Sequence, residues 1–443
     1  MLPAALFPYQ EPRPFQDELI QRIYTSDRIL CDVPTGVGKS VSALCACLAD
    51  RKETEKVVVL TRTKSQAAIF LRETGAIASR LGKPILALHL RSKQELCPIF
   101  AGEEATSYEE FSQLCYLKHD CPHRAKFREG HQDLELLARE IASGRIGPED
   151  LASRALVHGC PYMVLQRLLR EAEVVVASYT YLLHPHLREP FLHGLGCPMD
   201  HLLLILDEAH NLQSLDLLGR SMGPGALSRA SKEVGRDFPG MAELFRGEDR
   251  ELDLLEYMAQ EDVEDLYREG VEVLKRRLDG KGKRISNAFR IASFLKDVLR
   301  MRGDNNWVFF RQGGVLRLKP IFPSEVLAPL KEARKLVLMS GTLAPPEGYG
   351  LLYGLEEAEV LSLPGVFPRE NVVYLAVSSG LNTGLRLREA LGDELWMRYA
   401  CTIDAISAVS PGITLVFFPS YEVMEGVGKY LDAEAEPRRS RDL

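Results

Sequence analysis

A glycine-containing segment of eight residues near the N-terminus constrains the fold more than any other feature of the sequence. It runs Val33-Pro34-Thr35-Gly36-Val37-Gly38-Lys39-Ser40. An apolar run at residues 28–31 precedes it, and a helical pattern at residues 41–48 follows it. A strand, a glycine-containing loop, a Lys-Ser pair and a helix in this order are typical of a phosphate-binding loop in a parallel α/β domain.

The residue types of this loop suit a polyphosphate. Glycines allow backbone N–H groups to turn toward phosphate oxygens, and the positive end of the following helix faces the same oxygens. Lys39 is predicted to contact the β- and γ-phosphates, and Ser40 to help hold Mg²⁺. Val33 stands where the strict motif has its first glycine, so an ordinary turn before a helix is the alternative. The predicted phosphate-binding residues are Pro34, Thr35, Gly36, Val37, Gly38, Lys39 and Ser40.

A second apolar strand, predicted at residues 201–206, ends in two carboxylates, Asp207 and Glu208. Downstream of a phosphate loop, such a pair suits Mg²⁺-assisted phosphoryl transfer to water. Asp207 is expected to hold the ion and Glu208 to orient or deprotonate the water. The alternative for Asp207 is a helix N-cap.

Polar residues follow two further predicted strands. Residues 56–60 lead into Thr61-Arg62-Thr63, and residues 335–339 lead into Ser340-Gly341-Thr342. Ligands bind at the carboxyl ends of strands in open parallel sheets. Thr63 is equally consistent with a helix cap, and the hydroxyls after residue 339 with either a relay of nucleotide state or turn chemistry.

Four of the nine cysteines fall in one region, with 17, 5 and 38 residues between them. They are Cys97, Cys115, Cys121 and Cys160. Four thiolates suit an iron–sulfur cluster or zinc, and their spacing does not choose between the two. Four unrelated cysteines are the remaining alternative. The others are predicted to be structural: Cys31, Cys45, Cys47, Cys197 and Cys401.

The length of 443 residues predicts two or more domains. A net charge of −7 gives no overall sign of nucleic-acid binding, which depends on a local groove. The basic run at 281–284 either faces such a ligand or is a solvated surface. With no membrane-length apolar run and no signal-peptide pattern, we expect a cytoplasmic protein. A hairpin is predicted at residues 307–319 and a strand at 413–421.

In this order, the motifs resemble those of the XPD/DinG family of iron–sulfur DNA helicases in superfamily 2, and most of all its archaeal XPD members. The resemblance extends over nearly the whole chain. Besides the phosphate loop, it rests on the Pro-rich segment around Gln16 and on residues 61–63, 90–97, 160–162, 178–183, 207–211, 340–343 and 416–420.

The resemblance implies an α/β fold with a RecA-like parallel-sheet motor domain, two insertions and the start of a second RecA-like domain. The implied domains are motor domain 1 at 1–86, 161–212 and 321–345, an iron–sulfur domain at 87–160, a mainly helical arch at 213–320 and a partial motor domain 2 at 346–443.

The family uses ATP and Mg²⁺ to move 5′ to 3′ along single-stranded DNA, in nucleotide excision repair or related processing. The resemblance implies a [4Fe–4S] cluster on the four cysteines. It places Gln16 and His210 at the nucleotide and Arg62, Thr63 and Tyr179 at the DNA. We expect a monomer that binds single-stranded or forked DNA, with repair proteins as partners and no membrane association.

Three departures from the family pattern affect these expectations. Val33 replaces a small residue, Lys93 stands where arginine is common, and no arginine-finger motif is visible after Tyr421. We therefore expect a truncated chain that hydrolyses ATP poorly, because such a finger contributes roughly 10³–10⁵ in rate. A non-catalytic scaffold with zinc and an RNA helicase of the same motor type are the alternative functions.

Overall fold

The computed structural model describes residues 2–100, 107–129, 134–147, 150–215, 218–278, 284–367, 377 and 380–433. The chain divides into two compact units, residues 1–366 and residues 367–443. All of the predicted site residues lie in the first unit.

A parallel sheet places the predicted nucleotide residues at one edge. Strands β11, β1, β10, β5, β2, β4 and β3 form it in this order. The loop after β1 and the acid pair after β5 therefore lie at the same edge, with β10 between them. The strands of the first unit are β1 Arg28–Asp32, β2 Lys56–Thr61, β3 Ala87–His89, β4 Val174–Ser178, β5 Leu202–Asp207, β6 Arg220–Met222, β7 Arg250–Glu251, β8 Trp307–Gln312, β9 Val315–Pro320, β10 Lys335–Ser340 and β11 Glu359–Ser362.

Apolar layers cover both faces of this sheet. Val58 and Leu60 of β2 pack into one core, whereas Val57 and Val59 pack into the other. Every residue of β2, β5 and β10 is buried. Burial on both faces explains why these strands are continuous apolar runs in the sequence and not alternating ones.

Helices form both layers and much of the inserted regions. The α-helices in the described residues are α1 Gln16–Thr25, α2 Lys39–Asp50, α3 Lys64–Leu81, α4 Lys93–Leu96, α5 Tyr108–Leu117, α6 Pro122–Glu129, α7 Glu135–Ala142, α8 Leu151–Leu156, α9 Pro161–Leu168, α10 Thr180–Leu183, α11 Pro185–Leu195, α12 Pro224–Val234, α13 Pro239–Leu244, α14 Gln260–Leu278, α15 Asn287–Met301, α16 Pro323–Leu327, α17 Pro346–Tyr353, α18 Leu385–Leu391, α19 Asp393–Val409 and α20 Tyr421–Gly428. Short 3-10 helices lie at Pro3–Leu6, Met199–His201, Ala209–Gln213, Leu254–Glu256 and Ala328–Glu332. Within the described ranges, none of the helices has the length and apolar character needed to cross a bilayer.

Two buried lysines attach helices to the starts of sheet strands. Lys335, at the start of β10, donates to the carbonyls of Ile23, Tyr24 and Ser26 around the end of α1 and lies 3.2 Å from an Asp50 oxygen. Lys56, at the start of β2, donates to the carbonyls of Leu169, Arg170 and Ala172 after α9. Each charge satisfies carbonyls that a helix end leaves without partners.

The second inserted region, from residue 218 to residue 320, has its own apolar core. An antiparallel sheet in the order β6, β9, β8, β7 packs there with α12 to α15. The hairpin predicted at 307–319 is confirmed as β8 and β9, and Gly313 and Gly314 both have positive φ, at 56° and 72°. Two-residue hairpin turns of this kind need such angles. Residues 281–283 of the predicted basic run lie outside the described residues.

The cysteine-containing region packs against this second insertion. Phe111 and Leu114 of α5 contact Leu274 of α14 and Phe289 of α15 in one apolar cluster. The fully buried Glu110 carboxylate accepts bonds from the Ser286 N–H and the Arg290 guanidinium. The two insertions are therefore joined by apolar packing and by a buried ion pair.

Two sequence expectations about the C-terminal part need correction. β11 pairs with β1, so the first sheet continues to residue 362, past the boundary predicted at 345. The strand predicted at 413–421 is absent from the described residues; Ile413 and Phe417 are 93% and 89% exposed. A strand needs a neighbour for its backbone groups, and the described residues of the second unit offer none there. Cys401, predicted to be structural, is exposed.

Candidate active site

The phosphate loop leaves β1 with its backbone held by the neighbouring strand. The Val33 N–H donates to the Ser340 carbonyl at 2.8 Å, and the Val33 side chain is fully buried. Gly36 and Gly38 have φ of 94° and 92°, the left-handed region that favours glycine. Valine is accommodated at position 33 because that residue continues the strand and contributes to the core.

Lys39 begins α2 and extends back across the loop. Its Nζ donates to the Val33 carbonyl at 2.9 Å. A Cβ added to Gly341, just after β10, would lie 3.6 Å from the same Nζ. The ammonium group therefore lies between the loop and the ends of β10 and β5, where a triphosphate would lie in the predicted site.

Gln16 supports the loop from the other side. Its amide nitrogen donates to the Gly38 carbonyl at 3.3 Å, and its amide oxygen accepts from the Arg13 N–H at 2.9 Å. The Arg13 guanidinium donates to the Gly36 carbonyl at 2.7 Å. An adenine contact by Gln16 stays a prediction, and in this structure its side chain braces the loop. A cavity of about 610 Å³ opens beside it, lined by Tyr9, Gln16, Thr35, Lys39, Ser40 and Glu73.

The acid pair stands at the end of β5 with two different environments. Asp207 is 6% exposed, and burial, followed by the nearby Glu208 carboxylate, raises its pKa to about 6; the Lys39 charge acts in the opposite direction. A cation bound at Asp207 would offset the repulsion between the two neighbouring carboxylates. Asp207 does not act as an ordinary helix cap, because Glu208 and not Asp207 precedes the short helix Ala209–Gln213.

Glu208 is tied to the end of β10 through a group of polar side chains. Its carboxylate accepts from the Ser340 hydroxyl at 3.0 Å and lies 3.3 Å from the Nδ1 of His210. Ser340 and Thr342 in turn lie 2.7 and 3.1 Å from the same His210 nitrogen. The sequence left two roles open for the hydroxyls after residue 339, a relay of nucleotide state or turn chemistry. In the structure, these hydroxyls contact the segment of the acid pair. The nucleotide contact of His210 stays a prediction.

Tyr179 is buried, so its side chain offers little surface for the DNA contact predicted from the sequence. Its side chain is 2% exposed, and its hydroxyl donates to the Asp207 carbonyl. A buried hydroxyl needs a protein partner, and the end of β5 supplies it. A second buried tyrosine, Tyr353, donates to the Ala209 carbonyl at 2.8 Å. No motif marks Tyr353, and only the packing of α17 shows its place.

Arg62 and Thr63 lie at the carboxyl end of β2 and line a second cavity of about 570 Å³. Arg62 donates to the Asn211 side chain at 2.6 Å, which ties it to the segment after the acid pair. Thr63 caps α3 in a reciprocal arrangement with Gln66, so its cap role is confirmed. The side chains of this cavity that suit a nucleic acid are Arg62, Arg91, Tyr108, Tyr181, Arg220 and Arg300.

With this geometry established, similarity to known proteins is informative. The DEAD_2 family model matches residues 59–221, which include the acid pair and the four cysteines. The ATP-dependent DNA helicase XPD of Sulfolobus acidocaldarius is 23% identical over 95% of this chain and 75% of its own length. The chain is related to the XPD helicases.

Further XPD relatives agree with this assignment. The general transcription and DNA repair factor IIH helicase subunit XPD of Schizosaccharomyces pombe is 26% identical over 52% of this chain and 33% of its own length. A solved XPD helicase structure superposes with a TM-score of 0.65 at 21% identity, over 96% of this chain and 75% of that one. The RecA-like α/β fold predicted from the motifs is confirmed.

The four cysteines of this XPD-like chain lie in its first insertion, and each is partly exposed and free. Cys97 is close enough to Cys115 and Cys160, and Cys160 to Cys115 and Cys121, for their charges to influence one another. Backbone N–H groups two and three residues ahead donate to Cys97 and Cys160, although burial is the larger influence and raises the pKa of both thiols.

The arrangement of these thiols bears on the choice between the two metal groups. In the described part of the chain, no three His, Cys, Asp or Glu side chains are grouped as ligands of a metal ion. Tetrahedral zinc with bonds of about 2.3 Å requires its sulfurs about 3.8 Å apart. No grouping of that kind is found in the described residues, and the choice between an iron–sulfur cluster and zinc stays a prediction.

Proposed function

We propose that this chain is an ATP-dependent DNA helicase that moves 5′ to 3′ along single-stranded DNA, with a role in nucleotide excision repair. The placement of Lys39 between the phosphate loop and the acid pair carries the proposal. That placement brings a phosphate-binding cation and two carboxylates to one edge of the sheet, which phosphoryl transfer to water requires. The names of the XPD relatives supply the link to ATP, DNA and repair.

In this proposal, the nucleotide lies in the cavity beside the loop. Lys39 binds its β- and γ-phosphates, and backbone N–H groups of residues 35–40 surround them. Ser40 and Asp207 would hold Mg²⁺, which neutralises the charge on the phosphates when it is bound. Glu208, oriented by Ser340, aligns the attacking water. Gln16 and His210 complete the nucleotide contacts.

Single-stranded DNA is proposed to pass through the second cavity. Arg62 would contact the phosphates together with Arg91, Arg220 and Arg300, which also pair with Glu95 or Asp297. Tyr181 would offer a ring on which a base stacks. This cavity lies between the motor sheet and the two insertions. In this proposal, a change in the position of the acid pair is transmitted to the cavity through the hydrogen bond from Arg62 to Asn211.

The four cysteines are proposed to hold a [4Fe–4S] cluster. Cys97, Cys115, Cys121 and Cys160 would ligate it as thiolates, and its contribution would be to cross-link short helices that have little core of their own. The iron–sulfur domain at 87–160 and the arch at 213–320 belong to the same proposal, as do forked DNA and repair proteins as partners, a monomeric state and a cytoplasmic location.

ATP hydrolysis with and without single-stranded DNA tests the central claim. We expect slow turnover, stimulated by DNA, that Lys39→Ala abolishes and that Lys83→Ala, at an exposed position after α3, leaves unchanged. DNA and RNA oligomers in competition identify the nucleic acid, and duplexes with a 5′ or a 3′ overhang establish the direction. Turnover that survives Lys39→Ala would remove the loop from the mechanism, and nucleotide binding without turnover would favour a scaffold.

An absorption spectrum of anaerobically purified protein tests the cluster independently. Broad iron–sulfur absorption is expected, and it should be lost in Cys160→Ser but kept in Cys401→Ser, because Cys401 is exposed in the other unit. Stoichiometric zinc in a colourless protein would contradict the proposed cluster.

A further inference from the structure

Glu208 has a backbone conformation that its neighbours must maintain. Its φ and ψ are 53° and 46°, the left-handed region, which non-glycine residues adopt rarely and at an energetic cost. A conformation of this kind persists only where the surrounding contacts determine it. The contacts that do so here define the direction of the Glu208 carboxylate.

Two buried tyrosine hydroxyls hold the peptide groups on either side of Glu208. Tyr179 donates to the carbonyl of Asp207, and Tyr353 donates to the carbonyl of Ala209 at 2.8 Å. The Tyr353 hydroxyl also accepts from the Gln213 N–H, so it joins the first and last residues of the helix Ala209–Gln213.

The two tyrosines come from distant parts of the chain and are equally inaccessible. Tyr179 follows β4 and Tyr353 ends α17; their side chains are 2% and 0% exposed. Without the Tyr353 hydroxyl, the Ala209 carbonyl would lose its side-chain donor in a site that is closed to solvent. The backbone after Glu208 would then be free to relax toward the right-handed region.

We propose that Tyr353 is a positioning residue for ATP hydrolysis, which acts by holding Glu208 in the orientation that aligns the attacking water. The inference rests on the proposed ATPase function. Because Tyr353 is not among the described residues that line the nucleotide cavity, it affects the chemical step and leaves nucleotide binding unchanged.

Tyr353→Phe tests this role, since it removes one oxygen and keeps the ring in place. We expect kcat for ATP to fall by about tenfold to a hundredfold, the range that a small misplacement of a catalytic group costs, with KM and analogue affinity within about twofold. Tyr349→Phe is the matched control. That ring packs against Tyr353 with centroids 5.6 Å apart, and its hydroxyl does not touch the acid segment in the described contacts. Unchanged kcat in Tyr353→Phe, or a rise in KM alone, would overturn the proposal.

A double variant shows whether Tyr353 acts through Glu208. In a Glu208→Gln background, Tyr353→Phe should change kcat by less than about twofold, because the group it positions is already gone. A further fall as large as in the wild type would place its action elsewhere. If the wild type does not hydrolyse ATP, the proposed function fails. A crystal structure of Tyr353→Phe then tests separately whether the Tyr353 hydroxyl holds Glu208 in its conformation. A left-handed Glu208 in that structure would overturn the inference.

Discussion

The nucleotide site and the cysteine region of the first unit are held together by different means. Asp207, Glu208 and Ser340 stand at or directly after the ends of buried strands, Lys39 donates to the Val33 carbonyl, and Ser340 donates to Glu208. The four cysteines lie on or beside helices of only 4 to 10 residues and share no mutual hydrogen bond in the described residues. Core packing preorganises the first site, whereas the second depends on the group it is proposed to bind.

The largest expected effect concerns the chemistry of the nucleotide site alone. Glu208→Gln should lower ATP turnover by about 10²–10⁴-fold, the usual contribution of a group that orients or deprotonates water, while ATP affinity and thermal stability change little. Measured turnover and nucleotide binding check this. Glu347→Gln, at an exposed position in the first turn of α17, is the control and should behave like the wild type. A Glu208→Gln protein with normal turnover would assign water alignment to another group.

The next effect separates the two regions. Cys115→Ser should abolish iron–sulfur absorption and increase hydrogen exchange in α6, because this helix buries none of its residues and depends on the proposed cross-link. ATP affinity should stay within about threefold, since the parallel sheet does not depend on this helix. Hydrogen exchange resolved by segment checks both statements, with Cys401→Ser as the control. Increased exchange in β1 and β5 would show that the regions are not independent.

A smaller effect tests how the sheet is anchored. Lys335→Met should lower the free energy of unfolding by about 3 kcal/mol, because it leaves three helix-end carbonyls without their buried donor, while Asp50 keeps only its pair with Arg334. Denaturant unfolding measures this change. Lys83→Met, at an exposed position, should stay within about 0.5 kcal/mol of the wild type. Equal losses in the two variants would contradict a specific role for Lys335.

The smallest effect is a pH dependence of the free energy of unfolding, and it arises from His89, where the sheet meets the cysteine region. His89 of β3 lines cavities on both sides, and burial, aided by Arg91, lowers its pKa from 6.5 to about 4. The unfolded chain therefore takes up this proton first, and the free energy of unfolding falls as the pH drops from 6.5 to 4. Between pH 7 and pH 4.5 the loss is about 2 kcal/mol at most.

Unfolding curves of His89→Leu at pH 7 and pH 4.5 check this dependence. The variant should lose less stability over that interval than the wild type, whereas His193→Leu, at an exposed position, should match it. A wild-type curve whose pH dependence is unaffected by His89→Leu would assign the acid sensitivity to other groups.

The sequence alone determined the features that depend on local spacing and residue type. The phosphate loop, the acid pair, the buried strands and the hairpin around Gly313 each carry a signal within about ten residues. Tertiary structure decided the rest. It placed β10 between β1 and β5, so that Ser340 bonds to Glu208, and it added β11 from beyond the expected domain boundary.

Tertiary structure also decided that Tyr179 is buried against the Asp207 carbonyl and that Tyr353 reaches the same segment. Among the described residues, it gives residues 413–418 no partner strand. The physical reason is that strand order and burial depend on which distant segments pack together. No local pattern records that choice, so a tyrosine that stacks on DNA and one that holds a backbone carbonyl look the same in the sequence.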